Sequence, residues 1–219
     1  MRYSLALLAA AAAMLLGAAP ASAWTASGSY GSVYIDGLAG ETHNVTIEGI
    51  EGAATAGYKT ADSVVIRDAS ATITSVGQNC IKLDAHDMRC TSAFGAQRVF
   101  LDYTAGTGGD KVDVPVASAP FSFDAKTGPG ADRVTVYGPA GVTAALGLGA
   151  DSIVVSITGT TPLTPPGGTI DGGYGNDDMR IADHRRETPV CGPDFDYLQA
   201  DLGEHNDDCD TYLESPVPN

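Results

Sequence analysis

Positive charge is scarce in this chain: 12 Lys and Arg stand against 27 Asp and Glu, a formal net charge of −15 over 219 residues. So acidic a surface repels phosphate backbones and anionic lipid, which argues against nucleic acid and membrane surfaces as partners. Helical periodicity is missing after residue 23, and no later apolar run is long enough to cross a bilayer. Neither His-Glu-x-x-His nor Gly-x-Ser-x-Gly occurs; Glu204-His205 has the reverse order and no second histidine. His43, His86, His184 and His205 are scattered and read as surface residues, and His184-Arg185-Arg186 reads as a solvated basic loop. No catalytic constellation is therefore expected. Cysteine is limited to Cys80, Cys90, Cys191 and Cys209, none with C-x(2-4)-C zinc spacing and none left over as a reactive thiol.

At the start, Arg2 precedes an apolar run from Leu5 to Ala19 and the small-residue site Ala21-Ser22-Ala23. This is the pattern of a signal peptide cleaved after Ala23, and the run is short for a membrane anchor. A secreted or extracellular protein beginning at Trp24 is expected. In that setting four cysteines form two disulfides; three connectivities are open, and the sequence-local one, Cys80–Cys90 and Cys191–Cys209, is the simplest.

Abundant residues complete the picture. With 43% hydrophobic residues the chain can bury a core despite its charge, and 27 glycines and 12 prolines favour short strands joined by tight turns. Between Trp24 and Tyr103 the alternating runs Ser32–Asp36, Asn44–Glu48, Ser63–Arg67 and Cys80–Asp84 read as strands of a structural region that starts a sheet stack and covers its open end. From Ala105 one pattern recurs. Gly106-Thr107-Gly108-Gly109-Asp110, Gly128-Pro129-Gly130-Ala131-Asp132, Gly147-Leu148-Gly149-Ala150-Asp151 and Gly173-Tyr174-Gly175-Asn176-Asp177 each lead directly into an alternating strand. The aspartates are 22, 19 and 26 residues apart, which suits one coil of two strands and two turns, with return strands at Phe121–Asp124 and Val142–Ala145. The longest interval holds the proline-rich loop Thr161–Gly168. Cys191-Gly192-Pro193-Asp194-Phe195-Asp196 reads as a degenerate fifth turn in which Asp194 replaces a glycine, making Asp196 a doubtful ligand.

Calcium takes six to eight oxygens from carboxylates, carbonyls and water, and a Gly-x-Gly-x-Asp turn supplies both protein kinds. One such turn would be an ordinary tight turn, but stacked copies let an ion draw ligands from two neighbours about 4.8 Å apart. These turns resemble the glycine-rich nonapeptide repeats, G-G-x-G-x-D-x-(apolar)-x, of the haemolysin-type (repeats-in-toxin) calcium-binding proteins. The likeness also takes in the stretches from Val76 to Cys90 and from Val99 to Asp110 and the closing segment from Val190 to Asp210. It implies a right-handed parallel β-roll, with Asp110, Asp132, Asp151 and Asp177 as carboxylate ligands. Carbonyl donors would lie around Gly106, Gly108, Gly128, Gly130, Gly147, Gly149, Gly173 and Gly175. The family's leading double glycine survives only as Gly172-Gly173, and the motif recurs once per coil instead of every nine residues.

The expected architecture is thus an all-β solenoid: signal peptide 1–23, strand-rich N-terminal region 24–103, calcium-binding roll 104–188, and disulfide-closed C-terminal cap and tail 189–219. The expected function is that of a secreted calcium-binding protein whose fold is stabilised by calcium ions between stacked turns. The alternatives are a metal-independent extracellular structural or adhesive solenoid with a cell-surface partner, and a β-helix polysaccharide-active enzyme.

Overall fold

A computed structural model describes residues 23–29, 31–38, 40–51, 61–96, 98–104, 106–115, 121–137, 141–156, 168–183, 185–204 and 206–215. The leader up to Ser22, the proline-rich loop except Gly168, His184 and His205 lie outside the described residues.

Among the described residues there are strands and no helix. In chain order they are β1 (Ala23–Ser29), β2 (Ser32–Gly37), β3 (Asn44–Glu51), β4 (Ala61–Asp68), β5 (Thr72–Val76), β6 (Cys80–Lys82), β7 (Asp87–Ala96), β8 (Arg98–Asp102), β9 (Lys111–Val114), β10 (Ser122–Pro129), β11 (Arg133–Tyr137), β12 (Val142–Leu148), β13 (Ser152–Ser156), β14 (Thr169–Asp171), β15 (Asp178–Arg180), β16 (Thr188–Val190), β17 (Tyr197–Ala200) and β18 (Thr211–Glu214). They form two large sheets. The first has the order β16-β14-β12-β10-β8-β2-β1-β5 and the second β18-β17-β15-β13-β11-β9-β3-β4-β7-β6. From β8 to β17 consecutive strands alternate between the sheets, and from β10 on each is parallel to the strand two places earlier. One strand of each sheet and the turn between them therefore make a repeating unit.

Period-two patterning explains why the units stack. Each strand sends alternate residues inward, and the register places like on like: Val45, Val112, Val134, Ile153, Met179, Leu198 and Tyr212 follow one another across the second sheet. In the first sheet Val33, Val99, Phe123 and Val142 do the same. Inward residues of both sheets belong to one buried cluster, so the core runs the length of the stack. A one-residue slip would turn every one of these side chains to solvent, which fixes the register firmly.

The parallel ladders run through both boundaries expected from the sequence. β2 and β3 pair in parallel with β8 and β9, and β16 and β17 continue the ladders at the other end. Beyond β3 the second sheet turns antiparallel through β4, β7 and β6; beyond β2 the first sheet adds β1, antiparallel, and then β5. At the far end, β18 lies next to β17 in the second sheet. The ten residues between them, 201–210, skip the first sheet, and Asn206 Nδ2 instead donates to the Pro189 carbonyl of β16 at 2.7 Å.

Both disulfides follow the local pairing. Cys191–Cys209 ties that closing passage to the turn before β17, and Cys80–Cys90 joins residues already opposite each other in β6 and β7. With a sequence separation of only 10 residues, the second bridge constrains the unfolded chain by about 3 kcal/mol in the loop-entropy account. Replacing Cys80 and Cys90 with serine should lower stability by about that amount, or about 6–12 °C in melting temperature for a chain of this size. No helix among the described residues is long and apolar enough to cross a membrane.

Candidate functional site

The repeated Gly-x-Gly-x-Asp turns carry the chain from the first sheet to the second. Each aspartate is the residue before a second-sheet strand, and since those strands are in register the aspartates form a row. Asp110, Asp132, Asp151 and Asp177 are 1–2% exposed. A common hydrogen-bond scheme links them. The Asp110 N–H donates to Asp132 Oδ1 at 2.7 Å, the Asp132 N–H to Asp151 Oδ1 at 2.7 Å, and the Asp151 N–H to Asp177 Oδ1 at 2.9 Å. The row does not stop there. The Asp177 N–H donates to Asp196 Oδ1 at 2.9 Å, and the Asp196 N–H to Asp210 Oδ2 at 3.0 Å. Asp196 is fully buried and a full member of the row, a correction to the reading of the fifth turn as degenerate. Asp194, where the other turns have glycine, takes a φ of 90°. Asp is among the few residues that tolerate this region, and so the substitution leaves the turn intact.

One oxygen of each carboxylate is thus spent on the neighbouring backbone. The other, Oδ2 of Asp110, Asp132, Asp151, Asp177 and Asp196, is buried without a hydrogen-bond partner. The Thr127 hydroxyl stands beside Asp132, but its single proton goes to the Leu146 carbonyl at 2.8 Å. Five unsatisfied anionic oxygens in one row are costly, because neighbours about 5 Å apart repel by about 1–3 kcal/mol per pair at effective dielectrics of 80 to 20. The carboxyl groups feel this directly. Burial, with charge from the neighbouring aspartates, pushes Asp110 and Asp151 up to about 6 and Asp177 up to about 7, against the ordinary 3.8, even though the donated N–H groups pull the other way. Burial likewise raises Asp132 and Asp196.

The glycines are required by two separate constraints. Gly128, Gly147 and Gly173 have φ near +100°, and Gly130, Gly149 and Gly175 also have positive φ. In addition the units are so closely stacked that a Cβ on Gly149 would collide with the Gly130 carbonyl, and one on Gly175 with the Gly149 carbonyl. These carbonyls therefore project between successive turns. Gly106 and Gly108 of the first turn differ from the others, having no positive φ; Gly108 is needed because a Cβ there would run into the Thr42 side chain.

Where the row meets the N-terminal end, a histidine takes the place of an aspartate. His43 precedes β3 as each aspartate precedes its strand, and its N–H donates to Asp110 Oδ1 at 2.7 Å. Its ring lies on Tyr103 with centroids 4.2 Å apart, and its Nδ1 is 2.7 Å from Asp68 Oδ2. Only 1% exposed, His43 is not the surface histidine expected from the sequence; it closes the row inside the protein. Burial pushes the Asp68 carboxyl up, but hydrogen bonds from His43, Ser70 and Asn44 outweigh it and hold the group below its ordinary value.

Among the described residues no three His, Cys, Asp or Glu side chains are gathered as a ready-made metal site. The row offers something different: one buried, unpartnered carboxylate oxygen from each turn, all along a single line. No protein-family model, curated protein or solved structure matches the chain.

Proposed function

We propose that this is a secreted calcium-binding protein, a right-handed parallel β-solenoid in which calcium between successive turns stabilises the fold. The observation that carries the reading is the row of buried, unpartnered Oδ2 atoms from Asp110 to Asp196, lying on the edge where glycine carbonyls project between turns. Carboxylate and carbonyl oxygens are the donors that calcium prefers, and its tolerance of irregular shells suits sites assembled from two turns better than the strict octahedron of magnesium does. Each ion would be held by the aspartates of adjacent units, among them the expected ligands Asp110, Asp132, Asp151 and Asp177, and by carbonyls near Gly130, Gly149 and Gly175; Asp196 extends the set. Side chains only 0–2% exposed are out of reach of a substrate, and so the row favours a structural role over catalysis. Secretion is supported by the leader-like start and by two disulfides, which persist in oxidising compartments.

A metal-independent solenoid is the competing reading, and the raised carboxyl groups favour it at low pH, where protons instead of calcium would neutralise the row. Calorimetric titration of the metal-free mature protein at pH 7.5 separates the two. More than one calcium ion bound per chain, with a gain of β-sheet circular dichroism, is the expected result. Absence of binding heat, together with identical melts in calcium and in chelator, would leave the metal-independent reading standing alone.

A further inference from the structure

A second buried acidic centre lies on the opposite edge of the two sheets, where chain leaves the second sheet. Asp183 and Glu187 belong to the turn between β15 and β16, and Asp201 and Glu204 to the closing passage between β17 and β18. All four are 4–5% exposed. Glu204 joins the two segments, its Oε1 accepting the Glu187 N–H at 2.7 Å and its Oε2 the Asp201 N–H at 3.0 Å. Asp183 Oδ1 accepts the Arg185 N–H at 2.9 Å, which leaves its Oδ2 buried without a partner. Glu187 has no donor for either oxygen. Its side-chain neighbours are the carboxylates of Asp183 and Glu204, and burial first, then their charge, raises its carboxyl group strongly.

A buried carboxylate with no donor for either oxygen and other carboxylates for neighbours is among the most unfavourable arrangements a fold can contain. Arg185 acts electrostatically on Asp183, but one guanidinium against four carboxylates still leaves an excess of negative charge. From this we infer that Glu187 and Asp183 ligate a divalent cation, a calcium ion, which pins the closing passage to the stack. The two side chains supply the free oxygens. Carbonyl oxygens of the turns and water complete the shell, while Glu204 is a positioning residue that holds both backbone segments in place. This site does not depend on the aspartate row, from which it differs in edge, in ligand types and in having no glycine motif.

Terbium, which replaces calcium and emits when a nearby phenol is excited, provides a local readout. The Tyr212 hydroxyl donates to the Asp201 carbonyl at 3.3 Å, so an ion at Glu187 lies close to that ring. In the full mature chain carrying Asp132→Asn, Asp151→Asn, Asp177→Asn and Asp196→Asn, which removes every adjacent pair of row carboxylates, terbium emission excited through tyrosine should persist and should fall several-fold on adding Tyr212→Phe. Asp183→Asn with Glu187→Gln, in the otherwise native chain, should lose one equivalent of bound calcium and keep the remainder. These substitutions preserve shape and remove charge, so the variant should fold in chelator at least as well as the parent. Unchanged calcium stoichiometry in it, or terbium emission indifferent to Tyr212→Phe, would overturn the site. Loss of all calcium binding from the chain with the four row aspartates replaced would do the same, since the cap ion should survive there.

Discussion

In chelator, the protein is expected to lose thermal stability as pH rises from about 4 to about 8, whereas in millimolar calcium the loss above pH 6 should disappear. The sign follows from the direction of the shifts. Asp110 and Asp151 titrate at about 6 and Asp177 at about 7 in the folded chain, against 3.8 for the ordinary group. Between these values the native state holds protons that the unfolded chain has released. The stabilisation is complete below the unfolded value and is lost as pH rises through the folded one. Each pKa unit corresponds to about 1.4 kcal/mol. The groups interact, so their contributions do not add, but a total of several kcal/mol is expected, a large share of the roughly 5–15 kcal/mol that holds a domain together. Asp68 acts in the opposite sense, being held below its ordinary value, and its contribution is lost in acid. Stability without metal should therefore peak near pH 4. On the proposed reading calcium would bind the ionised row, so its benefit should grow over the same interval in which protons leave. Scanning calorimetry at pH 4.5, 6 and 7.5, with calcium and with chelator, measures this; curves that stay parallel would remove calcium from the row.

Much of this arrangement is legible in the sequence because it repeats. Alternating apolar residues identify strands such as β9, β11, β13 and β15, and the recurring aspartate locates their starts. What the motif does not contain is harder to read. Asp196 follows Asp194 instead of a glycine, and only the φ of 90° adopted by Asp194 shows that the turn is preserved. His43 has no motif around it, and its place at the head of the row follows from the parallel pairing of β3 with β9, a contact between residues far apart in the chain. In the antiparallel run β4-β7-β6, the start of β7 alternates like the parallel strands, with Met88 and Cys90 buried, and alternation alone carries no information about direction. The centre at Asp183, Glu187, Asp201 and Glu204 was invisible for a different reason. In a chain with 27 acidic residues, four at irregular spacing attract no notice until burial singles them out.

Replacing Asp151 in the middle of the row should give opposite results with and without metal, provided the substitution is asparagine. An amide keeps an oxygen to accept the Asp132 N–H, the bond now made at 2.7 Å, and removes a charge whose carboxyl group burial has raised to about 6. In chelator at pH 7.5, Asp151→Asn is expected to stabilise the protein by about 1–3 kcal/mol, or about 3–10 °C for a domain of this size. In calcium the same change weakens the two gaps flanking residue 151. Each saturated site contributes about 2.7 kcal/mol when calcium exceeds Kd a hundredfold, so the variant should melt well below the parent. Asp151→Ala separates charge from hydrogen bonding. It too removes the repulsion, but it strands the buried Asp132 N–H at a cost of about 1–3 kcal/mol, so little gain in chelator should remain. Gly149 gives an independent check on the geometry, because Gly149→Ala drives a Cβ into the Gly130 carbonyl at a φ of +140° and should destabilise the protein in both solutions alike. The crossover of Asp151→Asn is the result that a purely structural ladder does not produce. If an asparagine there stabilises the chain equally with calcium and with chelator, the row is a hydrogen-bonded spine and holds no ion.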